Sequence, residues 1–143
     1  MIKIKVEKTI KFEKEKVFIT MTDFENLPLK LPHIFKSVKI ISRKGNSVIT
    51  EEFVKMAGRD IIQKVKHVIK PTERHEVFIL EGDAKGSYIV ESYEETSEGT
   101  KIIVEGDFKL AGKLNILGFI AKVKIEKSIN EVIDEFAKIL TSK

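Results

Sequence analysis

Alternation of apolar and charged side chains dominates the first part of the chain. Ile2, Ile4 and Val6 are separated by Lys3 and Lys5, a period of two that is typical of a strand with one buried face. From residue 37 to residue 110, six further apolar segments are separated by turns too short to hold a helix. Short connections join antiparallel neighbours, so the pattern predicts a meandering sheet of seven strands. The six later strands are predicted at residues 38–43, 48–56, 61–70, 76–82, 88–94 and 100–110.

The period changes to that of a helix in two places. Between residues 13 and 22, Val17 and Met21 share one helical face, and Pro28 and Pro32 then break the chain into one or two short helices ending near residue 35. Near the carboxyl terminus the apolar residues recur every three or four positions over roughly 25 residues, about 38 Å of helix. These residues are Leu114, Leu117, Ala121, Ile125, Ile129, Val132, Phe136 and Leu140.

This order of elements predicts an α+β fold in one domain spanning residues 1–143, because the helices are not interleaved between the strands. Gly82 and Gly106 fall inside predicted strands, where a glycine commonly marks a bend or the close approach of another backbone. We expect both to be bending points at which the sheet closes around the long helix.

Composition narrows the class of protein. Of the 143 residues 42% are hydrophobic, enough for a core without disulfide or metal, and the absence of cysteine excludes disulfides, thiolate catalysis and zinc fingers. The 26 basic and 22 acidic residues are interspersed, so no nucleic-acid partner is expected. The longest uncharged stretch, 114–121, is far below the roughly 20 residues that span a bilayer, and the amino terminus does not resemble a signal peptide. We therefore expect a cytoplasmic protein, with a Lys-, Glu- and Ile-rich composition similar to that of thermophile proteins.

Several segments resemble a known superfamily. They are Thr9-Ile10, Glu15-Lys16-Val17-Phe18, the segment from Asp23 to Pro28, the segment from Leu31 to Val38, Glu98-Gly99-Thr100-Lys101 and the terminal helix.

Together with the order of elements, these segments resemble the helix-grip fold of START and birch-pollen-allergen-like proteins, most closely the polyketide cyclase/coenzyme Q-binding branch. The resemblance covers essentially the whole chain. It implies a seven-stranded curved antiparallel sheet wrapped around a long carboxyl-terminal helix, with two short helices between strands one and two. It also implies a hydrophobic cavity between sheet and helix, opening beneath the loops and short helices. The superfamily includes lipid carriers, receptors, cyclases and chaperone-associated domains, so the fold alone does not choose a function.

The alternation within each strand indicates which side chains would line such a cavity. On strand 61–70 the apolar face also carries Gln63 and His67, whereas parity is ambiguous on strand 48–56, where we favour Phe53 over Val54 and Met56. On strand 88–94 we favour the row that contains Tyr93 and Glu91. Three residues of the short helices, Leu27, Leu31 and Phe35, are expected near the opening. The predicted ligand-binding residues are Leu27, Leu31, Phe35, Phe53, Gln63, Val65, His67, Tyr93, Val104, Phe108, Leu117 and Ala121.

Two inward polar residues are candidates for catalysis. His67 has the pKa range of a general base near pH 7, or it and Gln63 orient a polar head group; alternatively both are hydrogen-bonded core residues. An inward Glu91 must be paired, protonated or functional, with Lys55 or Arg59 as candidate partners. The three histidines never fall three or four residues apart, so neither a metal site nor a cofactor is expected.

Three functional hypotheses remain open. The leading one is a carrier or sequestering protein for a small hydrophobic ligand: a lipid, isoprenoid, quinone or polycyclic aromatic. The second is a cyclase, aromatase or dehydratase that uses the same cavity with His67 or Glu91 as acid or base. The third is a protein-interaction module without a ligand. A monomer or weak homodimer with transient membrane contact during ligand exchange fits the first hypothesis.

Overall fold

A computed structural model describes residues 1–111 and 118–142. The strands form one antiparallel seven-stranded sheet in the order β1-β7-β6-β5-β4-β3-β2, so β1 and β2 are its edges and the predicted α+β helix-grip architecture is confirmed. The elements are β1 (Ile2–Ile10), α1 (Lys14–Thr22), a 3-10 turn (Phe24–Asn26), α2 (Leu27–Lys30), β2 (Phe35–Lys44), β3 (Ser47–Met56), β4 (Arg59–Lys70), β5 (Arg74–Glu81), β6 (Tyr88–Thr96), β7 (Gly99–Phe108) and α3 (Gly118–Thr141).

The short helices lie between β1 and β2, as expected, but β2 begins three residues earlier than the prediction. The N–H of Phe35 donates to the carbonyl of Leu31, and the N–H of Lys55 donates to the carbonyl of Ile34. Phe35 then pairs with Val54 of β3. Pairing with β3 therefore extends the strand back to the end of the helical segment, which the local pattern did not show.

Helix α3 connects two distant parts of the sheet. On the β1 edge, the N–H of Lys5 donates to Glu126 (3.0 Å), and Lys8 pairs with Asp134 (2.9 Å). On the other side, the N–H of Ala57, in the β3–β4 hairpin, donates to Ser128 Oγ (2.9 Å). The helix thus bridges the opening of the curved sheet.

The buried face of α3 follows the predicted period of three to four residues. Ile125, Ile133, Phe136 and Leu140 are all buried in the core. The helix has 24 described residues, ending at Thr141. The predicted start of the helix, from Leu114 to Leu117, lies outside the described residues. Within the described part of the chain, no helix is both long enough and apolar enough to cross a membrane.

The two glycines expected at bends both lie where backbones approach closely. Gly106 is inside β7, and a Cβ there would be 2.7 Å from the carbonyl oxygen of Tyr88. Gly82 directly follows β5 rather than lying inside it. Its φ is +118°, and a Cβ there would be 2.9 Å from the carbonyl oxygen of Ile62, so this position also requires glycine. A register shift between Lys64 and Val65 accompanies it. Close approach of neighbouring strands is therefore built into the sheet at both positions.

We predict that Gly106→Ala lowers the free energy of unfolding by about 1–3 kcal/mol, because the added methyl group must displace the backbone of β6. Glu105→Ala, at an exposed neighbouring position, is the control and is expected to change stability by about 0.5 kcal/mol or less. Urea unfolding followed by circular dichroism measures both. Equal stability of the two variants would show that the strand spacing adapts freely.

Candidate ligand cavity and its buried polar chain

A cavity of about 630 Å³ lies between the concave face of the sheet, the short helices and α3. Its walls are mainly apolar side chains from β3 to β7 and from the inner face of α3. The volume is within the roughly 300–1,000 Å³ typical of small-molecule sites. The expected space between sheet and helix is therefore present.

Apart from Gly58, four exposed residues line the cavity, and they gather at one end of the sheet. Arg59 follows the β3–β4 hairpin, Asp83 is in the β5–β6 loop, and Ile120 and Lys124 are in the first turns of α3. The guanidinium of Arg59 lies 3.7 Å from the carboxylate of Asp83, and both side chains are half exposed. These four residues, which we call the rim, are polar except for Ile120. By contrast, Leu27 and Leu31, which we expected near the opening, are both buried.

Seven of the predicted ligand-binding residues line the cavity, and four of the others do not. Leu31, Val65 and Tyr93 are buried in the core without contributing to the wall, and Phe53 is on the opposite face of the sheet. Leu117 lies outside the described residues. Those that line the cavity are Leu27, Phe35, Gln63, His67, Val104, Phe108 and Ala121.

The preference for Phe53 on the inner face of β3 is wrong. Phe53 is only half-buried and pairs with the exposed Ile62, whereas Val54 and Met56 line the cavity. The correct row also places Thr50 and Glu52 inside, and both are buried. The alternation left the choice open because both rows of β3 contain apolar residues and a glutamate, and the inward Glu52 is stable because it is hydrogen-bonded.

Four titratable side chains form a continuous hydrogen-bonded row across β3, β4, β5 and β6. Glu52 Oε2 lies 2.8 Å from His67 Nε2, and His67 Nδ1 lies 2.7 Å from His75 Nε2. His75 Nδ1 lies 2.9 Å from Glu91 Oε1. We call Glu52, His67, His75 and Glu91 the polar chain. All four line the cavity.

Neighbouring groups complete the polar chain at both ends. The hydroxyl of Thr50 donates to Glu52 Oε2 (2.6 Å), and the hydroxyl of Tyr93 donates to Glu91 Oε1 (2.7 Å). The ring of Phe24 stacks on His67 with 4.0 Å between centroids. Among the described residues, no buried side-chain nitrogen or oxygen lacks a hydrogen-bond partner. Burial of this charged group is therefore compensated by its own contacts.

The geometry of the polar chain fixes its proton count. Each of its three hydrogen bonds needs one proton, and an ionised carboxylate only accepts. The two imidazoles would carry two protons if both were neutral, so the short contact between His67 and His75 requires a third. With two ionised carboxylates and three protons shared by two imidazoles, the polar chain has a net charge of −1.

The pKa shifts indicate the charges of the two carboxylates and of His67. Burial lowers the pKa of His67, although its hydrogen bond to Glu52 opposes the shift. Burial alone would raise the pKa of Glu52, but its hydrogen bonds with His67 and Thr50 help to lower the pKa below its usual value. Burial acts likewise on Glu91, where the charge and hydrogen bond of His75 lower the pKa. These directions favour ionised carboxylates on Glu52 and Glu91 and a neutral His67 at neutral pH.

Sequence analysis found His67 and Glu91 but missed His75, which joins them, and Glu52, which ends the polar chain. The expected partners of Glu91, Lys55 and Arg59, are wrong: its partners are His75 and Tyr93. His75 could have been found from the alternation of β5, where it shares a face with Val77 and Ile79. Within the described parts of the chain, no cluster of three or more potential ligands has the arrangement of a metal site.

The antiparallel sheet around a long helix, with the cavity between them, defines a helix-grip protein. All 143 residues match the family model described as polyketide cyclase / dehydrase and lipid transport, and the protein belongs to this family. A search of curated protein sequences finds no match.

Solved structures of the same fold are similar to the chain at low sequence identity. TTHA0849 from Thermus thermophilus has a TM-score of 0.84 at 15% identity, covering 98% of this chain and 97% of that one. A START superfamily protein from Mycobacterium smegmatis has a TM-score of 0.76 at 16% identity, with coverages of 99% and 96%. The Zhui aromatase/cyclase from Streptomyces sp. R1128 has a TM-score of 0.75 at 13% identity, with coverages of 98% and 96%. At these identities the similarity establishes the fold.

We predict that the slope of stability against pH between about pH 5 and 7 depends on His67. Its pKa is lowered from 6.5 in the folded protein, so the unfolded chain binds the proton more readily, and stability falls as the pH decreases below 6.5. The lowered carboxylate pKa values add a further loss below about pH 4.5, again because the unfolded state binds more protons.

Urea unfolding at several pH values measures this slope in the wild type and in His67→Gln, where it is expected to be shallower. His33→Gln, at an exposed position on the surface, is the control for the substitution itself. Identical slopes in His67→Gln and the wild type would contradict the assignment of a neutral His67.

Proposed function

We propose that the protein binds a small hydrophobic molecule in the cavity between the sheet and α3, as a carrier or sequestering protein. The observation that carries the proposal is the largely apolar cavity of about 630 Å³. Burying apolar surface provides about 25 cal/mol per Å² of free energy, so a ligand that fills this space gains affinity mainly from its shape and apolarity. Lipids, isoprenoids, quinones and polycyclic aromatics meet these requirements. The family description, which includes lipid transport, supports the same class.

An enzyme is the second candidate, because the polar chain lies in the cavity wall. Hydrogen bonds join Glu52 to Glu91 through two imidazoles, an arrangement in which a proton taken up at one end can be released at the other. A cyclase or dehydratase needs such acid–base groups beside its substrate, and the family description includes both activities. A ligand-free interaction module is the less supported hypothesis, because it gives no role to an open apolar cavity.

Ligand identity is tested by native mass spectrometry of the protein purified from its own host. We expect a mass increment that corresponds to one lipophilic molecule and disappears after extraction with organic solvent. Conversion of that molecule during incubation with the purified protein would favour the enzyme over the carrier. A spectrum showing only the bare chain, together with failure to bind added lipophiles, would contradict both.

We predict that Ala121→Phe weakens the binding of N-phenyl-1-naphthylamine, a neutral hydrophobic fluorophore, by about tenfold or more. Ala121 lines the cavity from α3, so a benzyl group there occupies space that the probe needs. Val123→Phe is the matched control, because Val123 is on the same helix and half exposed outside the cavity. Its affinity is expected to equal that of the wild type. Equal weakening in both variants would place the binding site elsewhere.

A further inference from the structure

Glu91 presents one carboxylate oxygen to the cavity. Its Oε1 accepts hydrogen bonds from His75 and Tyr93, whereas Oε2 makes no hydrogen bond with any described residue. The Glu91 side chain is 21% exposed and lines the cavity, so its exposed surface faces the cavity. Glu52, at the other end of the polar chain, is only 8% exposed. Glu91 is therefore the more accessible carboxylate.

All hydrogen-bond donors of the polar chain are already committed. Both ring nitrogens of His67 and both of His75 take part in hydrogen bonds of the polar chain. The hydroxyls of Thr50 and Tyr93 donate to its carboxylates. No N–H or O–H of this group remains to bind a ligand oxygen without breaking an existing bond. Toward the cavity, the polar chain offers only acceptor oxygens.

The charge of the polar chain also disfavours a ligand whose inner end is an acceptor or an anion. Among the described residues, the only basic groups within 4.0 Å of the Glu52 and Glu91 carboxylates are the imidazoles of His67 and His75. No other cation balances the carboxylates, so the polar chain keeps its net charge of −1. The cationic side chains of the cavity wall are at the exposed rim instead, where Arg59 pairs with Asp83 and Lys124 lies in the first turns of α3. An anionic head group placed beside Glu91 would meet like charge in an apolar site, which is strongly unfavourable.

We infer that the ligand is an apolar molecule with a hydrogen-bond donor, an amine or a hydroxyl, at its inner end, and that Glu91 accepts the hydrogen bond from this group. Fatty acids and phosphate esters do not bind with their anionic groups at this position. The inference rests on the proposed function, since it concerns the same cavity. It narrows the ligand class from any hydrophobic molecule to one that is a donor at its buried end.

Four fluorescent compounds with the same ring system test this inference: pyrene, 1-pyrenemethylamine, 1-pyrenemethanol and 1-pyrenecarboxylate. At pH 7 the amine is protonated and the acid ionised. Affinities from fluorescence titration are expressed relative to that of pyrene for the same protein variant. In the wild type, we expect the amine and the alcohol to bind at least about tenfold more tightly than the carboxylate, as expected for a hydrogen bond to a charged acceptor.

Glu91→Gln removes the charge but keeps the shape of the side chain. We expect it to reduce the preference for the amine over the carboxylate to about threefold or less. Glu105→Gln, at an exposed position outside the cavity, is the control and should keep the wild-type preference. The wild-type series tests the inference even when Glu91→Gln does not fold.

Different failures separate the two levels of the proposal. Binding of pyrene with equal or tighter binding of the carboxylate would overturn the inference and leave the proposed function standing. A preference for the amine that persists in Glu91→Gln would overturn the role of Glu91. Failure of all four compounds to bind would count against the proposed function itself.

Discussion

The two-sided attachment of α3 determines the rest of the structure. Contacts of Glu126 and Asp134 with the β1 edge, and of Ser128 with the β3–β4 hairpin, hold the helix across the opening of the curved sheet. A helix fixed at both margins does not follow the concave surface between them. The cavity between the helix and the sheet is therefore a consequence of how the sheet curves and where the helix is attached.

A space of this kind makes an internal polar group tolerable. The polar chain is not compressed between two apolar layers: each of its members bonds to the next, and Glu91 is in contact with the cavity. Removing one member would leave a buried neighbour without its partner, which costs more than the bond itself contributes. We therefore regard the four residues as one unit whose charge and proton count are set together. The fold determines the site, because the strands that form the cavity wall also position every residue of the polar chain.

Sequence patterns predicted the architecture well because it depends on periodicity. The alternation in β4 correctly placed Gln63 and His67 inside, and the row of β6 correctly placed Glu91 inside. The same method was wrong for β3, where apolar residues occur on both faces and only the contact of Glu52 with His67 decides the parity. That contact joins residues 15 positions apart on different strands, and the contact of His67 with His75 depends on the β4–β5 register. Local patterns contain neither piece of information, so the polar chain could not be predicted as a unit.

The most direct test of the open cavity is a crystal structure of the protein grown with pyrene. We expect electron density for the ring between α3 and the inner faces of β4 to β6, with α3 still attached to β1 and to the β3–β4 hairpin. Density for pyrene only on the outer surface, with the side chains of α3 packed directly onto the sheet, would contradict the account.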